Sequence, residues 1–243
     1  MRVLGLIPAR GGSKGIVGKN LYPVAGIPLI GYTINAAIQS DKLSQIVVST
    51  DDNEIARVAK SFHAEVPFMR PAELADDHSS AVDVVNHVIE NLAKQDRRFD
   101  LIVYLQPTSP LRTTESIDQA IAMMLDRKAD SLVSVVQVPH HFSVDSQMVE
   151  QNGLLRPFLD LRSGQSPSGG LGPLRRQDKP SYFARNGPAI LITRPETLAR
   201  YGSLYGDTIL PFEMDTIESL DIDGPDDLWL LQQRLAQRNC KEQ

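Results

Sequence analysis

A disulfide framework or a thiolate metal cluster needs several cysteines, and this 243-residue chain contains only Cys240. Its apolar runs are too short to span a membrane, and the apolar segment near the N-terminus is too short for a signal peptide. The formal net charge is −5, so the chain also lacks the basic surface typical of nucleic-acid-binding proteins. These absences predict a cytoplasmic protein that binds neither nucleic acid nor membrane.

Strand-like and helix-like patterns alternate along the chain. Runs rich in Val, Ile and Leu predict strands at 3–8, 45–50, 101–106, 131–138 and 188–193. Between these runs, apolar residues repeat with helical spacing, as in Val82, Val85, Ile89 and Leu92. The alternation predicts an α/β fold with a mainly parallel, Rossmann-like sheet sandwiched by helices, in a single domain over residues 1–243. Such sheets bind ligands at the carboxyl ends of their strands.

Residues 139–181 interrupt this alternation. The segment shows little periodicity and contains a Gly/Ser-rich part at 163–173. A run of this length without regular structure inside a compact domain is usually functional or disordered. We interpret it as an arm or lid within the domain, with disorder of the Gly/Ser-rich part as the alternative.

The first predicted strand leads into a loop rich in glycines and cations. The glycines are Gly11, Gly12, Gly15 and Gly18, and the cations are Arg10, Lys14 and Lys19. Glycine lets the backbone approach a ligand closely, and backbone amides beside clustered cations suit a polyphosphate. The loop therefore favours a polyphosphate site over the alternative of a basic loop without a ligand.

Two familiar phosphate-binding motifs do not fit this loop. A Walker loop requires Gly, four residues and then Gly-Lys-Ser/Thr, whereas Ser13 stands at the first glycine position and Asn20 at the hydroxyl position. A dinucleotide fingerprint requires G-x-G-x-x-G that opens directly into a helix, whereas this loop reads G-x-x-G-x-x-G and no helix start follows it.

A second candidate site is the pair Asp221 and Asp223. Residues two apart on an extended stretch point the same way, so both carboxylates can reach one hard cation. Magnesium usually takes one or two carboxylates and completes its coordination with substrate phosphates and water. The pair therefore indicates a magnesium site beside the polyphosphate loop. The alternative is that Asp223 only caps the helix that follows.

The strand predicted at 101–106 ends in an amide followed by prolines. Pro107 and Pro110 restrict the backbone, which holds the Gln106 side chain at the sheet edge. In isolation, the pattern is also that of a simple turn.

Two further polar stretches, at 70–77 and 175–186, are candidate ligand contacts. The first ends at a helix start near Ser79 and Ser80, and its alternative is a surface loop with an ordinary helix cap. The second contains arginines suited to bidentate binding of a carboxylate, and its alternative is a solvated basic stretch.

Together and in this order, the motifs resemble those of the acylneuraminate cytidylyltransferases, the CMP-sialic acid synthetase family. The matching motifs are A-R-G-G-S-K-G at 9–15 with K-N at 19–20, S-T-D at 49–51, R-P-A-E-L-A at 70–75, L-Q-P-T-S-P-L-R at 105–112 and D-I-D at 221–223. The resemblance implies a nucleotide-diphospho-sugar transferase-like fold with a protruding dimerisation arm at 139–181. It also implies a magnesium-dependent reaction of CTP with an acidic nine-carbon α-keto sugar, which gives the CMP-sugar and pyrophosphate.

The resemblance also implies roles for individual residues. The implied nucleotide-binding residues are Arg10, Gly11, Gly12, Ser13, Lys14, Lys19, Asn20, Arg70 and Ser80. The implied sugar contacts are Gln106, Arg176 and Asn186. The implied magnesium ligands are Asp221 and Asp223. The residues implied to act in catalysis are Arg10, Lys19 and Asp223.

In the implied reaction the anomeric hydroxyl of the acceptor attacks the α-phosphorus of CTP and pyrophosphate leaves. Catalysis is expected to come mainly from positioning and from charge neutralisation by cations. Since none of the motifs contains an evident general base, we hypothesise that the proton leaves by a metal-assisted or water-mediated route.

Two departures from the family pattern lie on the acceptor side. Phe142-Ser143-Val144 replace a Pro and, in some members, a substrate-facing Lys, and the stretch 184–191 shifts an arginine and lacks a tyrosine. N-acetylneuraminate is the expected acceptor, with legionaminate or pseudaminate analogues as alternatives. A nucleotidyltransferase for another sugar, such as an octulosonate, and a nucleotide-binding module without turnover are the remaining alternatives.

Overall fold

A computed structural model describes residues 1–13, 15–76, 79–159, 180–185 and 187–239. Its strands are β1 Val3–Pro8, β2 Pro23–Val24, β3 Ile27–Pro28, β4 Gln45–Ser49, β5 Leu101–Tyr104, β6 Ser131–Gln137, β7 Met148–Gln151, β8 Leu154–Pro157, β9 Phe183–Ala184, β10 Leu191–Thr193 and β11 Ile209–Glu213. Its α-helices are α1 Leu29–Ile38, α2 Asn53–Ser61, α3 Ala81–Ala93, α4 Thr114–Asp126, α5 Pro195–Tyr201 and α6 Pro225–Asn239. None of the helices in these ranges combines the length and the apolar character needed to cross a bilayer.

The main sheet has the strand order β11-β6-β10-β5-β1-β4. β1 pairs in parallel with β4 and β5, and β11 pairs in parallel with β6. β10 runs antiparallel to both of its neighbours, β5 and β6. The short β9 also pairs antiparallel with β6. The predicted α/β fold with a mainly parallel sheet is thus confirmed, with β10 and β9 reversed among its described strands.

Helices cover both faces of this sheet because its central strands are apolar at nearly every position, and successive side chains point to opposite faces. In β1, Val3 and Ile7 pack with α1, α2 and α4 on one face. Leu4 and Leu6 point to the opposite face, where they pack with α3 and α5. All four side chains are almost completely buried, which fixes β1 in the centre of the molecule and so fixes the start of the loop that follows it.

The strand predicted at 188–193 is shorter than predicted. Only Leu191–Thr193 pairs, and it does so antiparallel, whereas an apolar run alone carries no information on direction. β11 was not predicted, because its central Pro211 interrupts the strand pattern in the sequence. Proline is tolerated here because β11 is the edge strand of the sheet.

Within residues 139–181, the structure describes 139–159 and 180–181, and the remainder of the predicted arm lies outside the described residues. The described part contains a hairpin of β7 and β8, which the sequence interpretation missed. Its two-residue turn, Asn152-Gly153, has φ angles of 54° and 78°. An Asn-Gly pair between strands is a strong hairpin signal because both residues tolerate positive φ, so this element could have been predicted.

Candidate active site

A cavity of about 450 Å³ lies beyond the carboxyl ends of β1 and β5. It brings together predicted residues that are far apart in the sequence. The predicted residues that line it are Arg10, Gly12, Ser13, Lys19, Asn20, Arg70, Gln106 and Asp223. Lys14, Arg176 and Asn186, which were also predicted to bind substrates, lie outside the described residues.

The loop after β1 is held in shape by its own side chains. Ser13 Oγ accepts a hydrogen bond from the Lys19 amide at 3.1 Å and donates one to the Ile16 carbonyl. Asn20 Nδ2 donates to the Arg10 carbonyl at 2.9 Å. Arg10 Nη1 in turn donates to the Asp76 carbonyl at 2.8 Å, so the guanidinium is anchored while it lines the cavity.

Gly11, predicted to bind nucleotide, also has an internal role. Its amide donates to Asp51 Oδ1 at 3.0 Å, just beyond the carboxyl end of β4. A Cβ at this position would lie 2.9 Å from Asp52 Oδ2, which only glycine avoids. Gly11 therefore fixes the loop against the neighbouring strand.

The loop and the turn that contains Asp221 and Asp223 pack directly on each other. Lys19 Nζ donates to the Ile222 carbonyl at 2.6 Å and lies 3.5 Å from Asp223 Oδ1. Gly15 approaches so closely that an added Cβ would overlap the Asp223 carbonyl oxygen. The cation of the loop and the carboxylate of the turn thus face the same cavity.

Helix α6 is capped by a residue other than Asp223. Asp227 Oδ2 accepts from the amides of Asp223 and Gly224, at 2.9 and 2.8 Å. Within the part of the chain that the structure describes, the Asp223 carboxylate has one polar partner, Lys19, and its side chain is 83% exposed. The capping alternative for Asp223 is therefore not what the structure shows, and the carboxylate is available to a ligand.

Asp221 occupies a more enclosed position. Burial, the largest cause, raises the pKa of its carboxyl above the ordinary value, while a hydrogen bond from the Thr108 side chain opposes that shift. Its Oδ1 is buried without a hydrogen-bond partner among the described residues. A Cβ at Gly187 would lie 2.6 Å from Asp221 Oδ2 and 3.1 Å from Gln106 Oε1, so these three residues meet at one point.

The carboxylates of Asp221 and Asp223 fit a magnesium site. No group of three or more His, Cys, Asp or Glu among the described residues is arranged around one point. Magnesium does not require such a group, because one or two carboxylates together with substrate phosphates complete its coordination. The unpartnered oxygen of Asp221 and the exposed carboxylate of Asp223 match that need.

Arg70 and Ser80, predicted to contact the nucleoside, are placed differently from each other. Arg70 lines the cavity but is only 6% exposed, and it donates to Ser49 and to the Leu74 carbonyl. Ser80 caps α3, with its Oγ accepting from the Asp83 amide at 3.1 Å and donating to the Asp83 carboxylate at 2.7 Å. It is Ser79, one residue earlier, that lines the cavity.

A smaller cavity of about 260 Å³ adjoins the first, and the two share Ala81, Tyr104 and Gln106. Arg185 and Tyr205 also line it, with the Arg185 Nη1 donating to the Tyr205 hydroxyl at 2.8 Å. The sequence interpretation included Arg185 among the arginines of 175–186 that could bind a carboxylate, but it did not name Tyr205. The G-S-L-Y stretch that carries Tyr205 contains no motif that could have revealed it.

A parallel α/β sheet with a glycine-rich cationic loop and a facing carboxylate pair at its carboxyl edge defines the nucleotidyltransferase class of fold. In agreement, the solved structure of a CMP:2-keto-3-deoxy-manno-octonic acid synthetase complexed with CTP has a TM-score of 0.69 over 98% of this chain and 100% of its own, at 20% identity. Identity that low shows the fold alone. The sequence decides the family: residues 4–184 match the model of the cytidylyltransferases, and the chain belongs to that family.

Relatives over nearly the whole chain are consistent with this assignment. The CMP-N,N'-diacetyllegionaminic acid synthase of Legionella pneumophila is 36% identical over 98% of this chain and 98% of its own. The N-acylneuraminate cytidylyltransferase A of Danio rerio is 35% identical over 95% of this chain, which spans only 50% of that longer protein. The family resemblance that the motifs indicated is confirmed.

The close approach of Gly15 to the turn predicts a difference between two glycines of one loop. Gly15→Ala is expected to lower the free energy of unfolding by about 1–3 kcal/mol, because the new methyl group overlaps the Asp223 carbonyl oxygen. Gly12→Ala meets nothing within 4 Å and is expected to change that free energy by less than about 0.5 kcal/mol. Urea denaturation of the two variants measures both values, and equal losses would contradict the packing described here.

Proposed function

We propose that this protein is a cytoplasmic CMP-nonulosonate synthetase, which joins CTP to an acidic nine-carbon sugar and releases pyrophosphate. The observation that carries the proposal is the placement of Lys19 and Asp223 on one cavity, in a chain of the cytidylyltransferase family. The names of its relatives support a nonulosonic acid as acceptor.

The two adjoining cavities suggest how the substrates divide the site. The triphosphate of CTP is assigned to the larger cavity, where Arg10 and Lys19 offset its charge and the backbone of Gly12 and Ser13 approaches it. The acceptor is assigned to the smaller cavity. Gln106 lines both cavities, so its amide can orient the acceptor towards the α-phosphate.

The walls of the smaller cavity bear on the choice between acceptors. Pro188, Leu191 and Leu204 give it apolar surface, and Arg185 supplies a cation suited to a carboxylate. An acetamido group presents a methyl to such walls, whereas a hydroxyl group does not. We therefore extend the proposal to an N,N'-diacetylated acid of the legionaminate type, beside the N-acetylneuraminate expected from the motifs.

In the proposed reaction, the anomeric hydroxyl of the acceptor attacks the α-phosphorus, the bond to the β-phosphate oxygen breaks, and pyrophosphate leaves. Lys19, held by the Ile222 carbonyl, and Arg10, held by the Asp76 carbonyl, face the developing negative charge from fixed positions. Asp221 and Asp223 would hold Mg²⁺, which supplies further charge neutralisation at the phosphates.

The attacking hydroxyl has to lose its proton in this reaction. None of the described residues that line the two cavities is a histidine. We propose that the proton leaves through water.

We also propose that the protein is a homodimer whose interface includes the hairpin of β7 and β8. Leu154 and Leu155 are 63% and 67% exposed, although neighbouring residues in a strand point to opposite faces. Neither face of β8 is thus covered by the described part of its own chain. Phe142, Met148 and Phe183 add exposed apolar surface, which supports a protein partner.

Direct assay of acceptors tests the proposed reaction. Incubation with Mg²⁺, CTP and either N,N'-diacetyllegionaminate, N-acetylneuraminate, a pseudaminate or an octulosonate is expected to give a CMP-sugar with a nonulosonate, detected by mass spectrometry together with pyrophosphate. ATP, GTP and UTP serve as controls. CTP binding without any acceptor-dependent product would instead indicate a nucleotide-binding module, and product from the octulosonate alone would indicate a different sugar nucleotidyltransferase.

The role of Asp223 is tested by removing its charge. Asp223→Asn is expected to lower kcat by roughly a hundredfold or more, because an amide is a poor magnesium ligand, while the melting temperature stays unchanged. Asp226→Asn makes the same charge change on an exposed residue of the first turn of α6 and is the matched control. Equal activities of the two variants would remove the assignment of Asp223.

The interface proposal predicts the oligomeric state. Wild-type protein is expected to sediment as a dimer in analytical ultracentrifugation, and Leu155→Asp is expected to sediment as a monomer because it places a charge in an apolar interface. Gln151→Asp adds a charge at an exposed polar position of the same hairpin and is expected to remain dimeric. A monomeric wild-type protein at micromolar concentration would refute the proposal.

A further inference from the structure

Arg112, which has no role in the proposed chemistry, is the most deeply buried cation described in the vicinity of the site. The residue is 3% exposed, and burial lowers the pKa of its guanidinium to about 9. No carboxylate among the described residues pairs with it, and its Nε has no hydrogen-bond partner there. Burying a charge without a counter-ion is unfavourable by several kcal/mol, so the other contacts of this side chain must compensate.

Those contacts are with neutral acceptors on three separate segments. Nη1 donates to the Gln106 carbonyl at 3.2 Å and to the Ala189 carbonyl at 2.6 Å. Nη2 donates to Thr33 Oγ1 on α1 at 2.8 Å. One planar guanidinium thus links the end of β5, the segment before β10 and a helix on the face of the sheet.

Two of the linked segments, the end of β5 and the segment before β10, carry Gln106 and Gly187, which meet Asp221 at one point. Gln106 lines both cavities, and Gly187 lies two residues before Ala189. Gly187 is close enough to Gln106 that an added Cβ would lie 3.1 Å from Oε1. A small change in the distance between the Gln106 and Ala189 carbonyls would therefore move Gln106, which lines both cavities, relative to Pro188, which lines the smaller one.

We propose that Arg112 is a positioning residue that fixes Gln106 against the Gly187 turn through the Gln106 and Ala189 carbonyls, and thereby sets the affinity for the acceptor acid rather than for CTP. This inference rests on the proposed division of CTP and acceptor between the two cavities. Thr33 contributes to the same positioning, because its hydroxyl accepts the hydrogen bond from Nη2 of Arg112.

Two variants perturb this arrangement to different degrees. Arg112→Lys keeps the charge but replaces the planar fork by a single nitrogen, which cannot reach all three acceptors in the same geometry. Thr33→Val keeps Arg112 itself and nearly constant volume, but it removes the acceptor of Arg112 Nη2 and the 3.5 Å hydrogen bond that the same hydroxyl donates to the Gln106 carbonyl. Thr193→Val is the matched control, since Thr193 is also fully buried but lies in β10 opposite Ile102, away from the carboxyl edge.

Steady-state kinetics separate positioning from general stability. Arg112→Lys is expected to raise the KM for the acceptor about tenfold, with a smaller rise for Thr33→Val, because small displacements of orienting groups have large effects. The KM for CTP is expected to change less than about twofold in both variants, and Thr193→Val is expected to leave both KM values unchanged. Equal shifts for CTP and acceptor, or lower melting temperatures with unchanged KM values, would overturn the proposal. If Arg112→Lys does not fold, Thr33→Val decides alone.

Crystal structures of the two variants give a readout that does not depend on turnover. The Gln106 carbonyl and Gly187 are expected to move relative to each other in Arg112→Lys and in Thr33→Val but not in Thr193→Val. Wild-type protein that makes no CMP-sugar from any acceptor would refute the proposed function, and these structures would still test the positioning role. An unchanged Gln106–Gly187 junction in both variants would overturn that role.

Discussion

The contact between the loop after β1 and the turn before α6 is the constraint on which the candidate site depends. Lys19 reaches the Ile222 carbonyl across 203 positions of sequence, and Gly15 packs on the Asp223 carbonyl. A second link joins the turn to the sheet, because the Ile222 amide donates to the Thr108 carbonyl at 2.8 Å. These contacts place the cationic loop and the Asp223 carboxylate on one cavity, which is the arrangement that the proposed CTP site requires.

Much of this arrangement could be predicted, because local sequence patterns indicate the strands and the motifs at their ends. The apolar runs of β1, β4, β5 and β6 fixed the strands, and the rule that ligands bind at the carboxyl ends of parallel strands placed Arg10, Gln106 and Asp223 near each other. The motif order indicated the family that the sequence model then confirmed. The roles of these residues remain predictions.

The features that could not be predicted depend on partners that are distant in sequence. The direction of β10 is set by pairing with β5 and β6 and not by its own three residues. Asp227 takes the capping role that the spacing allowed for Asp223, and Ser80 is engaged in a cap while Ser79 lines the cavity. The Asn-Gly turn at 152–153 is different, since its signal was present in the sequence.

The span of the Lys19–Ile222 contact has a consequence for folding. Contacts of such high sequence separation form late, because the entropy of closing the intervening chain must be overcome first. The candidate site is therefore complete only when the loop after β1 and the turn before α6 have packed on each other. A ligand bound between the loop and the turn would stabilise the native state and would give no advantage to partly folded forms in which this contact is absent.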